Sequence, residues 1–103
     1  MLTTTIRKVD EIGRVVLPQD ARRAYSFTSG TEIAITTDEE NKTMTVLPLG
    51  DFYESATIDD LGRITLPPKS LDLVKWNERD SLQLSFDTDT CAIFIKQIPN
   101  DTK

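Results

Sequence analysis

The stretch Val9-Asp10-Glu11-Ile12-Gly13-Arg14-Val15-Val16-Leu17-Pro18 is answered 49 residues later by Ile58-Asp59-Asp60-Leu61-Gly62-Arg63-Ile64-Thr65-Leu66-Pro67. Five of the ten pairs are identical: Asp10/Asp59, Gly13/Gly62, Arg14/Arg63, Leu17/Leu66 and Pro18/Pro67. Val9/Ile58, Glu11/Asp60, Ile12/Leu61 and Val15/Ile64 keep their chemistry, and Val16/Thr65 keeps its shape. The same offset continues without a gap. Phe27 falls on Trp76, Ile33 and Ile35 on Leu82 and Leu84, Met44 and Val46 on Ile93 and Ile95, and Asp38 on Asp87. Self-similarity at a fixed period signals a repeated structural unit. The chain therefore reads as a tandem duplication, with residues 1–48 as the first repeat, 54–98 as the second, and Leu49 to Tyr53 as the joint.

Each half predicts the same order of elements. Thr4-Ile6-Lys8 alternates with Thr5-Arg7-Val9 as a first strand. Asp10 to Gly13 is a turn, Gly supplying a backbone shape that other residues resist. Arg14 to Leu17 is a β-branched strand, and Pro18 suits the start of a helix over Gln19 to Tyr25, with Ser29-Gly30 ending the helical stretch. Asp20 in its first turn and Arg22-Arg23 in its last both favour the helix dipole. Strands follow at Thr31 to Thr37 and Thr43 to Leu47, joined by the polar loop Asp38 to Lys42 and stopped by Pro48. In the second half the turn is Asp59 to Gly62, the helix Pro68 to Lys75, and the strands Arg63 to Leu66, Ser81 to Phe86 and Cys91 to Lys96. About 45 residues bury too little apolar surface to stand alone, so the halves must combine, within one chain or between two. The fold class is mainly β with short helices, closing into a barrel-like unit that removes exposed sheet edges.

Composition bounds the function. The chain has 103 residues, 38% hydrophobic and 28% charged, no His and one Cys. Lacking His, it lacks the commonest general base and metal ligand. Cys91 alone builds neither an internal disulfide nor a thiolate zinc site, and reads as a packed thiol in a reducing, cytoplasmic setting. No apolar run is long enough to span a bilayer, and Met1 to Thr5 does not look like a secretory signal. Asp59-Asp60 falls in a turn with no further ligand, so neither a metal nor another cofactor is expected, and an enzyme is the least favoured class. Trp76, in the place of Phe27, is expected in the core.

The net charge is −5, which argues against a polyanionic partner when read globally. Its distribution argues the other way. Residues 1–23 carry Arg7, Lys8, Arg14, Arg22 and Arg23 against three carboxylates, whereas both later stretches, 24–50 and 51–103, are net acidic. The run from Ile6 to Pro18 followed by Arg22-Arg23 closely resembles the DNA-binding domain of AbrB-type (SpoVT/AbrB, swapped-hairpin) transition-state regulators. The Asp10/Arg14 and Asp59/Arg63 pairs also resemble, more distantly, the tandem arrangement of the MraZ family, although the chain departs from that pattern after Pro67. The resemblance implies a swapped-hairpin fold and a transcription regulator that binds double-stranded DNA and self-associates. It implies DNA contact through Arg7, Lys8, Arg14, Arg22 and Arg23. Four of these positions lose their charge or invert it in the second half, as Ala56, Thr57, Leu71 and Asp72, while Arg14 keeps Arg63. The first repeat is thus expected to face DNA and the second to act as scaffold.

Three alternatives stay open at this level. Arg14, four residues after Asp10, suits both a local salt bridge that pins the turn and a DNA contact. A MazE-like antitoxin shares the fold but uses a long acidic tail, and Pro99 to Lys103 is short for that. An interaction module that has lost DNA binding fits the overall negative charge.

Overall fold

The computed structural model describes residues 2–48, 54–77, 79–87, 89 and 92–98. The joint Leu49 to Tyr53, Cys91 and the tail Pro99 to Lys103 lie outside the described residues. In chain order the elements are β1 (Leu2–Lys8), β2 (Arg14–Val16), α1 (Gln19–Tyr25), β3 (Glu32–Asp38), β4 (Thr43–Pro48), β5 (Glu54–Thr57), β6 (Arg63–Thr65), α2 (Pro68–Val74), β7 (Ser81–Asp87) and β8 (Ile93–Gln97). The protein is mainly β with two short helices, and every strand pairing is antiparallel. Six strands form one sheet in the order β1-β7-β8-β4-β3-β5, and β2 pairs with β6 in a separate ribbon.

The pairing follows an internal twofold relation. In the ribbon, Val15 lies opposite Ile64, 49 residues on. In the sheet, Thr45 lies opposite Phe94 at the same spacing. Thr5 pairs with Leu84, and the positions 49 residues away from each, Glu54 and Ile35, pair with one another. Strands β1 and β5 are thus exchanged: each is an edge strand whose partner lies in the other half of the chain.

Alternation along the strands places the apolar side chains. Ile33, Ile35, Met44 and Val46 point inward with Leu82, Leu84, Ile93 and Ile95, each at most 2% exposed. Val15, Ile64, Leu17 and Leu66 join them from the ribbon, and Phe27 and Trp76 seal the core beside the helices as the sequence predicts. Ile6 and Phe94 face the other way, out of the sheet, and are 59% and 47% exposed.

Element boundaries differ from expectation at Pro48 and at the end of α2. Pro48 does not stop β4 but ends it from inside, opposite Ile33. Strand β8 accompanies β4 only from Thr43 to Val46, so at Pro48 the strand has a single neighbour, the edge-like situation in which a strand tolerates proline. Helix α1 ends at Tyr25 as expected, with Ser26 in the left-handed region at φ 60° and Phe27 turning back to donate its N–H to the Arg22 carbonyl and enter the core. Helix α2 ends one residue before the expected Lys75, which caps it at φ 63°.

Residues 1–48 on their own leave β1 without the strand it pairs with. This fragment is expected to show no concentration-independent unfolding transition in thermal melts. Any folded signal should appear only as two fragments pair, seen as a melting temperature that rises with concentration.

Candidate nucleic-acid interface

The two turns that precede the ribbon strands are built the same way. Asp10 Oδ1 accepts the backbone N–H groups of Ile12 at 3.0 Å and Arg14 at 2.7 Å, while Oδ2 takes the Arg14 Nε at 2.6 Å. Asp59 Oδ1 accepts from Leu61 and Arg63, both at 2.9 Å, and Oδ2 pairs with Arg63 Nε at 2.7 Å. A short carboxylate that bonds its own downstream backbone is the usual reason aspartate opens a turn. Each carboxylate therefore closes a loop and aims a guanidinium. Both arginines are about a quarter exposed, at 28% and 25%. The bonds to the aspartates are made by Nε, and among the described residues the terminal guanidinium nitrogens make no hydrogen bond, so they can take an anion.

Burial opposes ionisation of Asp10, but the Arg14 backbone N–H, the Arg14 side chain and the Ile12 N–H outweigh it and hold the carboxyl below the ordinary aspartate value. For Asp59 the Arg63 backbone N–H leads, again against burial and with the Arg63 side chain and Leu61 N–H assisting, and the shift is also downward.

Because Val15 and Ile64 point into the core, the alternation of β2 and β6 turns Arg14, Val16, Arg63 and Thr65 outward on one face. Each turn is fixed to the far end of the opposite strand, since Leu17 donates its N–H to the Gly62 carbonyl and Leu66 donates to Gly13, both at 2.9 Å. Arg22 extends this face. Its Nε donates to the Leu17 carbonyl at 3.1 Å, and its guanidinium lies over Gly62. A Cβ on Gly62 would fall 2.3 Å from Arg22 Cζ, so this close approach exists only because the residue is glycine. At the equivalent place on the other side, Leu71 packs over Gly13.

The five sequence-predicted cations thus do not form one cluster. Arg22 sits over Gly62, at the end of the ribbon where Arg63 lies, and Arg14 stands at the other end, beside Gly13. In the sequence Arg63 reads only as the repeat partner of Arg14. Arg23 is exposed on α1 and makes no ion pair among the described residues. Arg7 is half-buried, donates to the Ile6 carbonyl at 3.1 Å, and faces a recess of about 210 Å³ shared with Gln19 and Asp20 at the start of α1. Lys8 projects from the opposite face of β1 and is exposed. The acidic tip Asp38-Glu39-Glu40 is exposed, with Asp38 capping Asn41 through its backbone and side-chain nitrogens. Among the described residues no group of His, Cys, Asp and Glu is arranged to hold a metal, and no helix is long and apolar enough to cross a membrane.

No family model matches the chain. It is similar to stage V sporulation protein T of Bacillus subtilis, with 32% identity over 72 residues, covering 62% of this chain and 40% of that one. The chain thus spans well under half the length of this curated relative. The solution structure of PHS018 from Pyrococcus horikoshii has a similar fold, with a TM-score of 0.55, 14% identity, and coverage of 96% of this chain and 95% of that one.

Two predictions follow from the turns. Gly62→Ala and Gly30→Ala both force an L-residue to positive φ (77° and 86°), at about 1–2 kcal/mol, but only Gly62 has a neighbour within 4 Å of the added Cβ. Urea denaturation should show the larger loss for Gly62→Ala, and the excess should shrink in an Arg22→Ala background. The carboxylates set a pH dependence. Their folded-state values are lowered, so the stabilisation is complete above the ordinary aspartate range of about 4 and disappears as pH falls through the lowered values. Asp10→Asn combined with Asp59→Asn should melt below the parent at neutral pH, and the two melting curves should converge in acid.

Proposed function

We propose that the chain is a DNA-binding transcription regulator of the AbrB type, a binding protein and not an enzyme, acting in the cytoplasm. The observation that carries this reading is the outward face of the β2–β6 ribbon. There Arg14 and Arg22, both in the stretch whose residues resemble the family, stand on the same ribbon as Arg63. The similarity to stage V sporulation protein T supports the same reading. The 49-residue recurrence of the elements supports a tandem arrangement akin to that of the MraZ family.

In this reading the exposed Arg23 and the free nitrogens of Arg14, Arg22 and Arg63 meet phosphate oxygens, and one or two of these arginines read base edges. Each base-reading arginine is worth about 1–3 kcal/mol of discrimination. Arg7 and Lys8, on opposite faces of β1, contribute at most one further phosphate contact. The second segment serves as scaffold apart from Arg63, since Leu71 and Asp72 replace Arg22 and Arg23. The arginines of one copy are few for a duplex, so a second copy is expected on the DNA.

If two copies neutralise about six to eight phosphates, the logarithm of duplex affinity should fall against the logarithm of salt concentration with a slope of roughly −5 to −7. Arg23→Ala should weaken binding at every salt concentration and reduce that slope by about one per copy, with the fold intact. Arg22→Ala should weaken binding and also lower the melting temperature, because that side chain braces Gly62. Fluorescence anisotropy with random-sequence and selected duplexes measures both. Absence of binding to any duplex at low salt would reject the proposal in favour of an interaction module, the reading that the net charge of −5 favours.

A further inference from the structure

The outward face of the β2–β6 ribbon repeats its arginines but not its other two side chains. Register sets Arg14 opposite Thr65 and Val16 opposite Arg63. The 49-residue relation exchanges Arg14 with Arg63 and Val16 with Thr65. One end of the ribbon therefore pairs its arginine with an apolar side chain, and the other end pairs its arginine with a hydroxyl. Val16 is not a core residue. Val15 and Leu17 on either side of it are 1% and 0% exposed, and alternation turns Val16 away from them to the outer face, where it is half-buried. Arginines neighbour it on two sides. Arg63 lies across the ribbon, and Arg22 donates its Nε to the carbonyl of the next residue, Leu17, with its guanidinium over Gly62. At the other end Thr65 is exposed opposite Arg14, and Leu71 and Asp72 stand in the places of Arg22 and Arg23. Valine and threonine supply the same β-branched shape to a strand. They differ at the tip: threonine can donate and accept a hydrogen bond, and valine can do neither.

A two-stranded β-ribbon fits the major groove of DNA. There arginine pairs with the O6 and N7 of guanine, and the apolar feature on a base edge is the C5 methyl of thymine. A hydroxyl serves any of these edges, whereas valine favours a methyl and leaves a polar edge unpaired. We propose that Val16 is a specificity-determining residue, which takes the C5 methyl of a thymine beside the group engaged by Arg63, while Thr65 imposes no such requirement beside Arg14. The inference rests on the DNA-binding reading above and adds a base identity to it. The two ends of the ribbon then read unlike bases, although their arginines are equivalent.

The test is a uracil scan. The full chain selects a duplex from a random pool, and each dT of that duplex is replaced in turn by 2′-deoxyuridine, which removes the methyl and keeps the base pair. Affinity is read by fluorescence anisotropy at one fixed salt concentration. The parent is expected to lose about fourfold at one thymine per bound copy, the worth of one buried methyl. Val16→Ser should bind the dT and dU duplexes alike, Val16→Ile should keep the difference, and Thr65→Ser should leave it unchanged. A Val16 that served only the strand would give another pattern: Val16→Ser would weaken every duplex by the same factor and keep the parent's dU penalty. Circular dichroism melts check folding, and if Val16→Ser melts too low to assay, Val16→Thr makes the comparison with the side chain that the other end already carries. A parent indifferent to dU at every position, or a folded Val16→Ser or Val16→Thr that retains the full penalty, would overturn the inference and leave the regulator reading standing. So would duplex binding from which no preferred sequence can be selected. Absence of binding to any duplex rejects the regulator reading, and this inference with it.

Discussion

Strand β1 has its hydrogen-bonding partner in β7, and β5 has its own in β3, so neither half of the chain can complete its sheet without the other. This exchange governs the rest of the structure. It brings β2 and β6 side by side, and the core they cover draws Ile33 and Ile35 from one half and Leu82 and Leu84 from the other. Pairings so distant in sequence carry a loop-closure cost before any burial compensates, which places the fold among those governed by non-local contacts. The cationic face inherits its rigidity from this arrangement, because the ribbon beneath it is clamped at both ends by the Leu17–Gly62 and Leu66–Gly13 hydrogen bonds.

The turns show how local chemistry becomes surface chemistry. Asp10 and Asp59 spend one oxygen on backbone donors and the other on an arginine Nε. The two readings of Arg14 that sequence left open are therefore compatible: the aspartate orients the guanidinium and leaves its terminal nitrogens unused. Exposed ion pairs of this kind add little to stability on their own. Their consequence is geometric, since they hold a long, flexible side chain in one direction before any ligand arrives.

What was legible in the sequence was local. Asp-x-x-Gly-Arg turns, Pro18 before α1, and alternating Ile33/Ile35 and Met44/Val46 are signals carried within a few residues, and the structure places those elements where they were read. The end of α2 was less legible, because Lys75 turns into the left-handed region to cap the helix one residue before its expected end. Pro48 was misread because its tolerance depends on where β8 stops. The site was legible in the same uneven way. The Asp10–Arg14 pair could be anticipated from spacing alone. The seat of Arg22 on Gly62 could not, since it joins residues 40 positions apart through the exchanged fold. Nor could the placement of Arg63 on the same ribbon as Arg14, which depends on β2 and β6 being neighbours.

Joining both halves in one polypeptide has an evolutionary consequence. In a dimer of identical subunits every substitution appears twice, so a change useful on one flank is imposed on the other. Here the flanks are separately encoded, and Arg22 facing Gly62 can coexist with Leu71 facing Gly13. Gly30 and Arg79, 49 residues apart and at φ 86° and 71°, differ in the same way. With each flank encoded separately, one can change while the other is kept.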